Sequence, residues 1–568
     1  MSGNGEVTNL SEARIGVFVC HCGSNIAGYL NCEELTGYAA TLPNVVYAKN
    51  NLYTCSESGI AEIQSAIKAH GLTRVVVASC SPRTHMPLFK SACSEAGLNP
   101  YLFEMANIRD QCSWVHMQER EDAQAKARDL IRMAVAKAAL LEPQEDIETS
   151  LVKKAMVLGG GISGLSAATA LADMGVEVVL VEREAELGGL LRRLNRIGPS
   201  GQKASDILSE LIGRAGKHPN IRALTGTELT GVSGVVGNYE IALKDSGGKE
   251  LKEMVGAIVV ATGAVPFKPG GLFGYNGKNV ITQIDLEELL RDGKFKYKDV
   301  VMIQCVGARS SERSYCSRVC CLTAVKNAMY IKDLDPSANV HVLYRDIQMY
   351  GTENEKLLWD SRGHEVRYDI YDAAVPPVVR DGVVELYQPL TGMTIEIPYD
   401  LVVLSTPMVA PADSPAIANL MRIPVDQNNF FLEAHAKLRP LDFATDGIFL
   451  AGTARYPATV SEAQAQGLGA ASRAATILSK DKLVFSALVS FVTDRCDGCA
   501  LCLDVCPYHA ITLEEYTVDG VAKKRVRTDS ILCKGCGVCA ATCPKGGIGV
   551  HGFTGEQIMA QVDALLAI

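Results

Sequence analysis

The chain has 568 residues, too many for one core, and its length alone predicts three or four domains. With 48% apolar and 21% charged residues it is neither a disordered nor a fibrous protein. Its net charge of −9 disfavours nucleic acid as a partner, since nucleic acid is normally met by a basic patch.

The opening stretch, MSGNGEVTNLSEARIG, has no basic segment followed by an apolar core, and no apolar run reaches the roughly 18 residues of a membrane span. The expectation is a cytoplasmic protein. In that compartment nineteen cysteines point to metal or redox chemistry rather than disulfides. Seven fall between Cys20 and Cys112, four between Cys305 and Cys321, and eight between Cys496 and Cys543.

Residues 1–118 alternate strand-like runs (IGVFVC, RVVVASC) with helical stretches, which predicts a small α/β domain. Cys20, Cys22, Cys55, Cys80 and Cys112 fall at apparent strand ends or in loops. Ligands gathered from such loops could hold one cluster, and spacing alone leaves structural thiols as an equal reading. Cys32 and Cys93 have helix-like surroundings and read as structural. From Glu119 a long helix rich in Ala, Arg, Glu and Leu runs to Pro143, and the acidic stretch Glu145–Glu148 follows; residues 119–150 read as a linker.

Residues 151–482 carry the strand–helix alternation of a doubly wound α/β domain. The apolar strand at Lys153 leads into Gly159-x-Gly161-x-x-Gly164, with Ile162 and Ser163 opening the next helix. The following strand ends at Glu182, placed to take a ribose hydroxyl, while the glycines let backbone approach a pyrophosphate. Arg183, Gly188, Gly189 and Leu190 come next, then ATGA (Ala261, Thr262, Gly263) after a further strand, then Gly452, Thr453 and Ala463 in the segment Thr445–Ala471. Together these resemble two-dinucleotide-domain flavoproteins of the thioredoxin reductase and glutamate synthase small-subunit type. The resemblance implies FAD, with the Ala-Gly-Thr strand closing on its isoalloxazine and ribityl chain.

Such proteins carry a second glycine loop for a nicotinamide. Here the strand KDVVMIQ (298–304) runs into Cys305-Val306-Gly307-Ala308-Arg309 instead. Without glycines the backbone cannot come close to a pyrophosphate, so this half is expected to be degenerate. Cys305, Cys316, Cys320 and Cys321 take its place. Four thiols so close suggest a [4Fe–4S] site beside the flavin, and a redox-active or structural thiol group is the other reading.

Residues 483–568 hold Cys496-x2-Cys499-x2-Cys502-x3-Cys506-Pro and Cys533-x2-Cys536-x2-Cys539-x3-Cys543-Pro. In this two-cluster ferredoxin pattern the fourth cysteine of each run serves the other cluster. One [4Fe–4S] cluster is therefore expected on Cys496, Cys499, Cys502 and Cys543, the other on Cys533, Cys536, Cys539 and Cys506. Zinc sites rarely use two four-cysteine runs each closed by Cys-Pro.

The motifs VCHCGSNIAGYL, VASCSPRTH, NPYLFEMANIRDQCSWVH, QCVGAR…YCSRVCC and the C-terminal cysteine runs span nearly the whole chain. On them it resembles the A-type subunits of heterodisulfide reductase, which carry both flavin and iron–sulfur clusters. The resemblance implies a thioredoxin-reductase-like FAD domain between an N-terminal α/β cluster-binding domain and a C-terminal ferredoxin domain. It implies four clusters, including one on the N-terminal cysteines and one on Cys305–Cys321. The function implied is flavin-based electron bifurcation or confurcation. Lys326 matches a lysine that reaches the flavin N5 region in that family. Implied partners are cluster-carrying B- and C-type subunits, a hydrogenase, formate dehydrogenase or NADH-oxidising module, and ferredoxin, around a homodimeric core. Many archaeal members carry an extra ferredoxin after a stretch like Val236–Ile241; none is visible here, which suggests a shortened bacterial-type member. The rival functions are a non-bifurcating NAD(P)H-dependent reductase and a non-catalytic cluster scaffold.

Overall fold

A computed structural model describes residues 13–518 and 520–567, so most of the opening stretch read for a leader lies outside the described residues. The chain forms two compact units, residues 149–483 and residues 13–148 together with 484–567.

In the 149–483 unit the unbroken apolar runs become two parallel sheets, as expected for strands covered by helices on both faces. The first has the order Ile448–Leu450, Ala257–Val260, Lys154–Leu158, Glu177–Val181, Ile221–Leu224. The helix Ile162–Asp173 packs on it and is built from small residues, Ser163, Gly164, Ser166, Ala167 and Ala168 all being buried. That smallness lets the helix Val460–Leu478 come close. A Cβ on Gly467 would stand 2.3 Å from the Ser163 carbonyl oxygen.

The second sheet has the order Val280–Thr282, Leu401–Leu404, Asp299–Ile303, Asn339–Tyr344, Arg367–Ile370. The helix Cys320–Leu334 crosses from its third strand to its fourth, repeating the strand–helix–strand start of the first half. The chain then returns to the first sheet for the edge strand Ile448–Leu450. Residues 236–241 belong to a three-stranded antiparallel sheet, Thr227–Val235, Asn238–Asp245 and Glu250–Val255, that lies in sequence between two strands of the first sheet.

The other unit begins with a parallel sheet, in the order Val45–Asn51, Ile15–Cys20, Arg74–Ser79, Phe103–Asn107. The helix read as part of a linker spans Arg120–Ala139 and is a core element: Ala123, Ala127, Ile131 and Ala138 are fully buried with the sheet residues Val17, Val19 and Val76. Its small residues recur at one-turn spacing, which presents a narrow stripe that packs flat. The same helix meets the last one, Gly555–Leu566. Arg132 Nε donates to the Ala564 carbonyl at 2.5 Å, and Gln557 Nε2 to the Leu140 carbonyl at 2.9 Å. Between these ends lie the hairpin Ile511–Val518/Val521–Thr528 and the paired strands Ser490–Val492 and Ile548–Val550, which frame the cysteine runs.

Candidate functional site

The glycines at the end of Lys154–Leu158 have separate tasks. Gly159 has a φ of 109°, and a Cβ there would stand 2.3 Å from the Ala261 carbonyl oxygen; one on Gly164 would stand 1.8 Å from the Gly159 carbonyl oxygen. Both are set by backbone packing. A Cβ on Gly161 would meet nothing within 4 Å, because that position opens on a cavity. The Gly188 amide donates to the Gly160 carbonyl at 2.8 Å and folds the 183–193 segment over this loop. Glu182 is buried and accepts from the amides of Gly160 at 2.7 Å and Glu184 at 2.9 Å, which fixes its carboxylate at the cavity wall.

The cavity has a volume of about 340 Å³. Thirteen of the sixteen expected flavin positions line it; Gly164, Gly188 and Gly452 stand behind the wall and shape it. Gly452 has a φ of 71°, and a Cβ there would stand 2.0 Å from Ser163 Oγ. Gly159, Glu182, Arg183 and Thr262 also line a second cavity of about 300 Å³, walled by Leu229, Ile417 and Leu420. Two cavities that share a glycine loop and a carboxylate fit FAD. So does Thr262, a lining residue of both cavities whose buried hydroxyl has no hydrogen-bond partner among the described residues. Sequence reasoning missed Met408 and Thr459–Val460 in the wall; they come from a short β pair and a helix start with no cofactor motif of their own.

In the second half Cys305 follows the strand Asp299–Ile303 in a left-handed conformation (φ 61°), and Cys320 and Cys321 open the helix that comes next. Burial first, then the charge of its neighbours, pushes Cys320 up to about 12 and Cys321 up to about 11; Cys305 is raised by burial as well, and Cys316 acts on all three. Cys320 Sγ donates to the Thr406 carbonyl at 3.4 Å, and the Arg318 amide donates to Cys316 Sγ at 3.3 Å.

Lys326, expected at the flavin, is not among the cavity-lining residues. Its Nζ is ion-paired with Glu287 and donates to the Arg196 carbonyl at 2.7 Å. Glu287 is fully buried and also accepts from the Asn195 amide at 2.9 Å. A carboxylate with no exposure needs a cation, and Lys326 on the adjacent helix supplies it. Burial pulls the lysine below its ordinary range, with Glu287 pulling it back up.

The C-terminal cysteines surround two small cavities. One is lined by Cys496, Cys499, Cys502 and Cys543, the other by Cys533, Cys536, Cys539 and Cys506. Each run makes the same turn: Gly498 and Gly535 have φ of 73° and 61°, and two residues on Ala500 and Gly537 have φ of 64° and 82°. Backbone amides point at sulfur, from Gly547 to Cys543 at 3.2 Å, Ser490 to Cys533 at 3.3 Å, Ala510 to Cys506 at 3.4 Å and Val526 to Cys496 at 3.5 Å. At Cys543 burial works to raise the thiol, and the surrounding amides outweigh it, so its value is lowered.

Of the N-terminal cysteines, Cys20, Cys22, Cys55 and Cys80 gather at the carboxyl ends of the parallel strands, where open α/β sheets hold ligands. Burial raises the Cys55 and Cys80 thiols, and both feel Cys20 and Cys22. Arg109 Nη1 donates to Cys22 Sγ at 3.5 Å, and the Thr54 amide to Cys20 Sγ at 3.4 Å. His21 Nε2, Asn51 Nδ2 and Thr54 Oγ1 at this edge are buried with no hydrogen-bond partner among the described residues. The Cys112 thiol donates to the Ala123 carbonyl at 3.1 Å, against the helix Arg120–Ala139. Cys32 and Cys93 are core residues that burial pushes up to about 12. Among the described residues, no three or more His, Cys, Asp or Glu side chains converge as a single metal ion requires.

Residues 153–467 match the pyridine nucleotide-disulphide oxidoreductase family, and residues 495–547 the 4Fe-4S dicluster domain, which imply FAD and 4Fe–4S clusters. The chain is similar to the second iron–sulfur A-type subunit of the CoB--CoM heterodisulfide reductase of Methanopyrus kandleri, with 37% identity over 602 residues, covering 89% of this chain and 92% of that protein. It is similar to the A-type subunit of the H(2):CoB-CoM heterodisulfide,ferredoxin reductase of Methanothermobacter thermautotrophicus, with 37% identity over 656 residues and 98% of each chain covered. Among solved structures, the thioredoxin reductase of T. acidophilum aligns with 57% of this chain and 97% of its own, at 16% identity and a TM-score of 0.41.

Proposed function

The chain belongs to the family of heterodisulfide reductase A-type subunits, and on that premise we propose that it divides electron pairs held at FAD into single electrons on [4Fe–4S] clusters, or joins them in reverse. It is an oxidoreductase. Bound FAD supplies two-electron exchange and each cluster one-electron exchange, with cluster potentials spanning about −700 to +450 mV. In this reading residues 1–118 hold one cluster, with the helix of 119–150 completing their core, 151–482 hold FAD and a second cluster, and 483–568 hold two more.

The observation that best supports the division is Cys305. It stands where a glycine loop would take a nicotinamide's pyrophosphate, and Cys316, Cys320 and Cys321 follow it within a few residues of the next helix start. Cys305, Cys316, Cys320 and Cys321 would hold a cluster in this half, and it would supply one-electron exchange where a nicotinamide supplies two.

The chain's own residues set the conditions. Gly161 leaves backbone open to the FAD pyrophosphate, and Glu182 keeps lone pairs for ribose hydroxyls. Thr262 offers an unused hydroxyl to the cofactor. The amides aimed at Cys496, Cys506, Cys533 and Cys543 tune cluster potential, since hydrogen bonds to sulfur are one of its determinants. Lys326 acts through the 195–196 backbone, which it and Glu287 hold. Working partners are the cluster-carrying B- and C-type subunits, ferredoxin, and a hydrogenase, formate dehydrogenase or NADH-oxidising module, around a homodimeric core in the cytoplasm. No helix among the described residues is long and apolar enough to cross a membrane.

The test is coupling. The complex, purified without oxygen, reduces a low-potential one-electron acceptor only while a higher-potential acceptor turns over. Reduction of the low-potential acceptor alone, or bleaching of the isolated chain's flavin by NADPH, would instead favour the non-bifurcating NAD(P)H reductase.

A further inference from the structure

Arg318 stands between Cys316 and Cys320 in a left-handed conformation (φ 62°) that an arginine adopts only when its surroundings hold it. In that conformation its amide donates to Cys316 Sγ at 3.3 Å. Its guanidinium leaves the cysteine loop altogether. Nη2 donates to Glu462 Oε1 at 2.7 Å and to Tyr350 Oη at 2.8 Å, and Nη1 to the Pro457 carbonyl at 3.3 Å. The guanidinium carbon lies 5.1 Å from the ring centres of both Tyr350 and Tyr456.

Glu462 carries the connection onward. Its Oε2 accepts from the Thr459 amide at 2.9 Å and closes the capping box of the helix Val460–Leu478. Thr459, Val460 and Ala463 are in the wall of the flavin cavity. The neighbours of Arg318 grip a second stretch of the wall: Met408, another lining residue, donates its amide to Ser317 Oγ at 3.0 Å and accepts from Tyr315 Oη at 2.8 Å through its carbonyl. The loop bearing Cys316 is thus fastened to two stretches of the cavity wall, and Arg318 is the charged fastening.

We infer that Arg318 is a positioning residue for electron transfer, fixing the Cys305–Cys321 loop against the flavin cavity so that a cluster on it exchanges single electrons with FAD at a set separation. The inference rests on the reading that these four cysteines hold a cluster. The step served is simple in balance: reduced FAD loses one electron, the oxidised cluster gains that electron, and no heavy atom is transferred.

The full complex carrying Arg318→Gln tests it, beside Arg318→Lys, Glu462→Gln and the double variant Arg318→Gln/Glu462→Gln. Glutamine at 462 keeps the capping box, so the helix start survives while the ion pair is lost. Expected are FAD and iron contents unchanged in every variant, with flavin-to-cluster transfer slowed roughly 10- to 100-fold in Arg318→Gln, as small misplacements of reacting partners do. The rate is read by rapid freezing and electron paramagnetic resonance after pre-reduction of the flavin. Arg318→Lys should recover part of it, and the double variant should be no slower than Arg318→Gln, because both changes cut one connection. Full cofactor content with an unchanged rate overturns the positioning role while leaving the cluster reading intact. Iron lost from Arg318→Gln in a four-iron step also overturns it, making Arg318 a residue of loop folding. An unmodified protein with no cluster signal from these cysteines overturns the reading beneath and this inference with it.

Discussion

Lys326 and Glu287 form a buried ion pair whose two members each hold one residue of the same loop, Lys326 the Arg196 carbonyl and Glu287 the Asn195 amide. Removing one partner leaves the other uncompensated. Lys326→Met is expected to cost about 3–5 kcal/mol, the usual penalty for a broken buried pair. Replacing both, Lys326→Met with Glu287→Leu, should restore most of that. Urea unfolding with FAD content measured in parallel checks it; equal losses in the single and double variants would show that the pair is not what the site depends on.

The N-terminal cysteines divide into two classes that an iron assay separates. With four clusters the chain carries about 16 irons, and losing one cluster removes four. Cys80→Ser, within the group of four at the strand ends, should leave about 12 irons per chain. Cys112→Ser should leave all 16, since that thiol is already engaged by the Ala123 carbonyl. A four-iron loss in Cys112→Ser would return it to the ligand set.

Gly452 is closed to any side chain, because a Cβ would stand 2.0 Å from Ser163 Oγ and the φ is 71°. Gly452→Ala is expected to cost at least about 1–2 kcal/mol for the left-handed backbone alone. The clash also pushes Ser163 toward the cavity it lines. FAD released on gel filtration, with iron of the C-terminal runs retained, is the expected result.

Acid should loosen the flavin domain through Glu433. The hydrogen bond from Arg455 holds its carboxyl below the ordinary value, against burial that pushes it up. A folded value below the unfolded one stabilises the fold above the unfolded value, about pH 4.3, and that stability is lost as pH falls through the folded value. Glu433→Gln should therefore lower the urea midpoint at pH 7 and flatten its slope with pH below about 4.3. A slope identical to that of the unmodified chain would rule Glu433 out as its source.

The parts of the site legible in the sequence are those whose partners are near in the chain. Gly159, Gly161 and Gly164 act within one turn, and the crossed grouping of Cys543 with Cys496, Cys499 and Cys502 follows from spacing already visible. Glu287 was not legible, because it meets Lys326 from another helix and nothing in its own neighbourhood marks it as a buried charge. The helix Arg120–Ala139 was legible as a helix. Its place in a core was written in the recurrence of Ala123, Ala127, Ile131 and Ala138, but their surroundings are so charged that the stripe reads as a linker.

The crossed cysteines also put a clock on biosynthesis. When a ribosome has made Cys502, the first cavity has three of its four walls, and the fourth, Cys543, is 41 residues away (543 − 502). At about 5–20 residues per second that is a wait of roughly 2–8 s. The second cavity waits in the opposite sense, with Cys506 made first and the other three following. Neither ligand set is complete before Cys539 and Cys543 have been made, so a chain that ends between residues 506 and 533 carries cysteines of both cavities and the full set of neither.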